Sequence, residues 1–443
     1  MFSNLEQITV ERTYSDEDEP KKLPQISIPY FRSRLNSSRR YSKFRCAGND
    51  NHLRSWQQRV CVFNNICYNV NNQHFEYYRY PQIQPKPVFF DAAKRMLTEF
   101  SPNGDGKGFV LYSISRTPRW LFTWAPFMID TAVPTENVTR LSNLHTLWKV
   151  STNDYNIGHM IWEDFFMIYY AMERMQEFDD SIVIMHADKI PSHPLFKKLQ
   201  KEILSALTPR PIVEQKTYLS SFKTRYVCFN RFIIGGSILL YQPRNTVIHH
   251  RDVESLLFNW RTMIIHHFKL DPKYIPTKHR ITISNKTDSA WTRVARRNIA
   301  NLNDIVKFVK QTYPTIEVNV VVWKKLSFRE QVDIMLKTTI FITPSGGVSM
   351  MAPFLPIGAH IITPDFLSDR DMPGFKKGES VALEGNFWAY WPHVHKDYYQ
   401  IFSRKEQVWD FANAAYSRDE ASVIMNTTRL GMLIDKALED MSP

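Results

Sequence analysis

Apolar positions in residues 327–364 (SFREQVDIMLKTTIFITPSGGVSMMAPFLPIGAHIITP) change period several times, which predicts helix, strand, glycine loop, short helix and strand in that order. Ser327 followed by Glu330 fits a capping box, opening a helix that runs to about Lys337. Residues 339–343 (TIFIT) are a short β-branched apolar run of the kind found in strands buried on both faces, and residues 358–363 supply the next strand. Between them lies Pro344-Ser345-Gly346-Gly347. A glycine pair between a strand end and a helix start can turn backbone N–H groups toward an anion, with the helix dipole behind them. A plain tight turn fits the same residues.

The alternation extends upstream. Residues 280–284 (RITIS) and 316–323 (IEVNVVVW) read as strands. Between them, residues 293–313 read as a helix with Leu302, Ile305, Val306 and Val309 on one stripe. Strands and helices alternating over short links predict a parallel sheet with right-handed crossovers, with the ligand beyond the carboxyl ends of its strands. Arg293, Arg296 and Arg297 fall in the first turn of the expected helix, where positive charge opposes the macrodipole. An anion such as a diphosphate among the guanidinium groups would account for them. A solvated basic face is the alternative.

In the first half, residues 109–115, 181–187 and 225–235 read as strands, and residues 194–207 and 252–268 as helices. A long apolar helix opens at residues 153–159 and runs to about Phe178. The fold class expected is α/β, with two Rossmann-like domains facing a central cleft. The expected divisions are a disordered or stem-like leader at 1–45, a first domain at 46–255, a second at 256–400 and a C-terminal helical segment at 401–443.

Composition narrows the function. A chain of 443 residues holds two domains, each large enough to bury a core. The net charge of +12 suits anionic ligands, but the basic residues are scattered without an interleaved aromatic-basic motif, so no nucleic acid is expected. No stretch is long and apolar enough to cross a membrane, and residues 1–10 are no signal peptide. There is no G-x-S-x-G elbow and no G-x-G-x-x-G opening a first βα unit, which removes the α/β-hydrolase and dehydrogenase readings. Cys46, Cys61, Cys67 and Cys228 fit no zinc template. One local disulfide, with the remaining cysteines free or paired, is expected if the protein is extracytoplasmic. Sequons at Asn36, Asn137, Asn285 and Asn426 permit a secretory location.

Three segments carry a resemblance to a known family: NIGHMIWEDFF (156–166), VARRNIANLNDIVKFV (294–309) and LSFREQVDIMLKTTIFITPSGGVSMMAPFLPIGAHII (326–362). The chain resembles family 61 glycosyltransferases, which include plant xylosyl- and arabinosyltransferases of xylan and animal O-linked N-acetylglucosaminyltransferases. The resemblance implies a GT-B architecture, a nucleotide-sugar (UDP-linked) held mainly by the second half, and a glycan or glycoprotein acceptor held by the first. It also implies inverting transfer and a Golgi or endoplasmic reticulum location, with membrane attachment only through an anchor absent from this chain. Three positions depart from the family pattern. Ser345-Gly346-Gly347 replaces His-Gly-Ala, Thr363-Pro364 stands where many members have Glu, and Asn285-Lys286 replaces an arginine. A degenerate, non-catalytic glycan- or nucleotide-binding descendant is therefore the second reading.

Displacement at an anomeric carbon needs a base for the acceptor hydroxyl and positive charge or N–H donors for the leaving diphosphate. The candidate base is His159 with Asp164, at the head of the 156 helix, where His159 and Glu163 stand i, i+4. A helix-capping histidine is the alternative. Arg293, Arg297, Ser345, Gly346, Gly347 and Val348 are the expected donor-binding residues, and Glu384 is the candidate ribose acceptor. No cofactor and no metal are expected, although Asp369-Arg370-Asp371 spells D-x-D and His393 with His395 could ligate a metal.

Overall fold

The computed structural model describes residues 40–47, 60–79, 88–91, 96–99, 109–112, 122–148, 157–187, 194–235, 253–286, 297–368, 376–381, 388, 390–409 and 421–441. Its architecture is mixed α/β, built on two large sheets.

The N-terminal sheet comprises β1 (Lys43–Ala47), β2 (Val60–Asn64), β3 (Ile66–Asn69), β4 (His74–Tyr78), β5 (Phe127–Ile129), β6 (Val138–Trp148), β7 (Val183–His186), β8 (Val213–Glu214) and β9 (Tyr226–Gly235). Its order is β8-β7-β6-β9-β3-β4-β5, with β2 also on β9 and β1 on β2. The strands β6 to β9 are parallel and stand 3-2-1-4 by sequence, the Rossmann order. Antiparallel pairing of β2 and β3 onto β9 then extends the sheet beyond a Rossmann half. Both disulfides involve this extension. Cys46 joins Cys61 across β1 and β2, Cys67 joins Cys228 across β3 and β9, and no cysteine is free.

The C-terminal sheet comprises β10 (Arg280–Ser284), β11 (Glu317–Val321), β12 (Ile340–Ile342), β13 (His360–Pro364) and β14 (His395–Tyr399), in the order β11-β10-β12-β13-β14 and parallel throughout. By sequence this is 2-1-3-4-5, the other doubly wound order. The central strands are buried on both faces because helices cover both. One face packs on α4 (Leu302–Thr312) and α6 (Thr427–Asp440) through Ile305, Val309, Leu430 and Ile434. The other joins a core shared with the N-terminal half, to which α1 (Phe166–Arg174), α2 (Pro194–Leu204), α3 (Val253–His267) and α5 (Phe328–Leu336) contribute. The capping box of Ser327 and Glu330 is formed at the start of α5.

Two expected helices change shape. The helix expected at 293–313 begins only at Leu302. Residues 298–300 instead pair with Ser422 and Val423, through Ala300 N–H to the Val423 carbonyl and Val423 N–H to the Asn298 carbonyl (2.8 Å each). Arg297 therefore lies in a loop, not in a first helical turn, and the conflict with the macrodipole disappears. The apolar helix after residue 156 opens as a seven-residue π-turn, His159–Phe165, before becoming α1. The cause is a wedge: the Ile161 carbonyl accepts both the Phe166 N–H, five residues on, and the indole N–H of fully buried Trp260 at 3.2 Å. A side chain inserted into the ladder widens it.

Candidate active site

In a 2-1-3-4-5 sheet the crossovers diverge between strands 1 and 3, so the ligand crevice opens beyond the carboxyl ends of β10 and β12. The glycine loop leaves β12 at that point, and Asn285 follows β10. Gly346 has φ +129°, and a Cβ built there would stand 3.2 Å from the Arg297 Cζ. Only glycine lets the guanidinium lie against the loop backbone. Arg297 itself has φ +53°, the left-handed region that side chains enter at a cost, and its Nε is buried without a hydrogen bond. An unfilled donor on a strained, charged residue at a sheet's ligand edge is the arrangement an anion completes.

The loop divides into a closed half and an open half. Ser345 Oγ bonds Thr363 Oγ1 (3.2 Å) and the Pro364 carbonyl (3.1 Å), tying the loop to β13. The Gly346 N–H donates to Ser349 Oγ at 3.1 Å, while that hydroxyl donates to the Gly346 carbonyl at 2.6 Å. Ser345 and Gly346 are buried and engaged within the protein, so the Gly346 amide does not face outward as the sequence led us to expect. Gly347 and Val348 are half-buried, and their amides have no hydrogen-bond partner among the described residues.

On the N-terminal side, β6 ends at Trp148 beside the 3-2-1-4 switch point, and the π-turn begins at His159. In an α-helix residues five apart point about 140° away from each other. The wider i→i+5 winding of a π-turn reduces that angle. The π-turn therefore turns buried Asp164 toward the side of the helix that carries His159, which the α-helical reading paired with Glu163.

The π-turn packs directly on the segment following the glycine loop. Trp162, fully buried, donates its indole N–H to the Met350 carbonyl at 2.8 Å, and its ring meets Phe354 at 5.6 Å and Trp391 at 4.9 Å. Arg261 of α3, 1% exposed, donates to the Pro353 carbonyl (2.5 Å) and the Leu355 carbonyl (3.1 Å), and burial pulls its pKa down to about 10. The His393 ring nitrogen Nε2 lies 3.1 Å from the same Pro353 carbonyl. Burial, and then the Arg261 charge, push His393 down to about 4, so it is neutral and donates. Arginine and histidine thus close the end of the Ser349–Phe354 turn that follows the glycine loop.

Of the remaining sequence candidates, Arg293, Glu384, Asp369 and Asp371 lie outside the described residues. His395 opens β14 and stacks on His360 at 4.6 Å, and no group of three or more metal-ligating side chains occurs among the described residues. The sequence reading missed Arg261, which sits in a helix with no motif around it. It also passed over Asp365, whose signal is a carboxylate directly after a fully buried strand.

No curated protein sequence matches this chain. Among solved structures, it is similar to the bacterial iron-containing dodecameric glycosyltransferase TibC from enterotoxigenic E. coli H10407, at 11% identity over 72% of this chain and 84% of that one, with a TM-score of 0.28. It is also similar to dodecameric iron-containing heptosyltransferase TibC in complex with ADP-D-beta-D-heptose, at 10% identity over 89% and 94%, with a TM-score of 0.26. A likeness at that level carries no weight for fold or chemistry. The family described as Glycosyltransferase 61 matches residues 124–362, a span that holds the π-turn, Arg297 and the glycine loop. That span is more than half of the chain, and the protein belongs to the glycosyltransferase 61 family.

Proposed function

We propose that this glycosyltransferase is inverting, takes its sugar from a nucleotide-sugar and delivers it to a glycan or glycoprotein hydroxyl. One observation carries the donor side: the Arg297 guanidinium against Gly346 at the switch point of the C-terminal sheet, with its Nε unfilled. Arg297 with the Gly347 and Val348 amides would hold the diphosphate and stabilise it as it leaves. His159, half-buried in the same π-turn as Asp164, would take the proton of the acceptor hydroxyl, the carboxylate fixing its tautomer. In this reading the halves, 46–255 for the acceptor and 256–400 for the donor, form a GT-B pair. The two disulfides suit maturation in an oxidising secretory compartment.

Among the described residues this diphosphate site offers a guanidinium and backbone amides, which supply positive charge without a cation. Release of free nucleotide from a panel of nucleotide-sugars, in the presence of an acceptor glycan, is therefore expected to persist in excess EDTA. It should also weaken as ionic strength rises, because Arg297 is partly exposed. Loss of activity in EDTA with recovery on manganese would overturn the metal-free mechanism.

The self-satisfied half of the glycine loop favours a second reading, a non-catalytic binder of nucleotide or glycan. A pure sample that binds UDP but releases no nucleotide from any donor in the panel would select it.

A further inference from the structure

We propose, on the basis of the donor-site assignment above, that Asp365 is a ligand-binding residue whose carboxylate accepts a hydroxyl of the bound nucleotide-sugar. Asp365 is the first residue beyond β13, on the same carboxyl edge as the glycine loop that leaves neighbouring β12. Ser345 links the two directly, since its hydroxyl bonds Thr363 and Pro364, the residues just before Asp365. Arg297 lies against the next loop residue, Gly346.

The carboxylate is held firmly but left half-satisfied. The Asp365 N–H donates to the Tyr399 carbonyl at 3.0 Å, and Ser380 Oγ donates to Oδ2 at 3.0 Å. Ser380 reaches it from the short hairpin Phe366–Leu367 with Ser380–Val381. Oδ1 is buried and accepts nothing. Burial pushes the carboxyl up to about 6, opposed only by the Ser380 hydrogen bond, with no charged side chain among the described residues acting on it. Asn285 Oδ1, beyond β10, is a second buried acceptor without a partner on this edge. Two unfilled acceptors and one unfilled cationic donor are the complement of a molecule with both hydroxyls and an anionic group, which describes a nucleoside diphosphate sugar.

The linkage sign separates this role from a structural one. With the folded pKa raised above the unfolded value, the stability associated with this group is full below about pH 4 and is lost as pH rises through about 6. An ionised, half-satisfied Asp365 therefore destabilises the ligand-free protein at neutral pH. A structural carboxylate would do the reverse.

The test compares wild type with Asp365→Asn by titration of UDP, 2′,3′-dideoxy-UDP and UDP-N-acetylglucosamine at pH 7.5, with melting curves at pH 7.5 and pH 4. The expected result is about tenfold or greater loss of affinity in the variant, of the size of one hydrogen bond to a charged group. Its Tm should rise at pH 7.5 and stay near wild type at pH 4. If the ribose supplies the hydroxyl, UDP itself loses affinity and the wild-type preference for UDP over the dideoxy analogue disappears. If the transferred sugar supplies it, only UDP-N-acetylglucosamine binding weakens. Unchanged affinity for both UDP and UDP-N-acetylglucosamine, or a Tm that falls at pH 7.5, would overturn the inference. A wild-type protein that binds none of the three would overturn the donor-site assignment and this inference with it.

Discussion

Turnover in the His159→Ala and Asp164→Asn variants is expected to fall by about two orders of magnitude or more, the usual contribution of a positioned general base. Nucleotide affinity should stay nearly unchanged, because the diphosphate is assigned to the other half of the molecule. Both residues lie in the π-turn, whose wider winding turns buried Asp164 toward the side of the helix that carries half-exposed His159. Restoring α-helical winding would separate them. Trp260→Phe removes the indole N–H that bonds the Ile161 carbonyl, and it should lower turnover in the same direction without touching either residue. Steady-state kinetics beside equilibrium binding of UDP checks both points. Full turnover in both the His159 and Asp164 variants would remove the pair from the mechanism.

Arg297→Ala should weaken UDP binding by about ten- to a hundredfold, the value of a charge-assisted contact of roughly 1.5–3 kcal/mol. Gly346→Ala should do nearly the same by another route. The new Cβ meets the guanidinium at 3.2–3.3 Å, and φ of +129° is a conformation an L side chain rarely adopts, so arginine and loop must both shift. Arg297→Lys is not expected to restore affinity, since an ammonium cannot lie flat against the glycine backbone and present a planar fork. Calorimetric titration of UDP reads all three, with circular dichroism to show that the variants remain folded. Wild-type affinity in Arg297→Ala would place the donor elsewhere.

The C-terminal half was legible because its strands are buried on both faces and read as short β-branched runs. The runs at 280–284 and 339–343 correspond to β10 and β12, and the Ser327 cap to the start of α5. The N-terminal half was harder. Its central strand β6 (VTRLSNLHTLW) mixes polar with apolar residues, because its first part is half-exposed while only its last five positions are buried. A search for apolar runs passes over such a strand. Pairing of Cys67 with Cys228 spans 161 residues and depends on β3 lying beside β9, which no local pattern records.

The site was legible as composition and not as geometry. The motifs named His159, Asp164, Arg297 and the glycine loop, but periodicity placed Arg297 on a helix that starts five residues after it, at Leu302. Nothing local could show that Trp260 would convert an α-turn into a π-turn, since that wedge arrives from a helix about a hundred residues away. Arg261 was hidden for the same reason: its partners are the carbonyls of Pro353 and Leu355, which have no side-chain signature.

The most direct test of the central claim is a crystal structure of the protein with UDP at saturating concentration. The diphosphate is expected beyond the carboxyl ends of β10 and β12, contacting the Arg297 guanidinium and the Gly347 and Val348 amides. A nucleotide ordered at any other place on the protein, with Arg297 still lying against Gly346 and touching no phosphate, would contradict it.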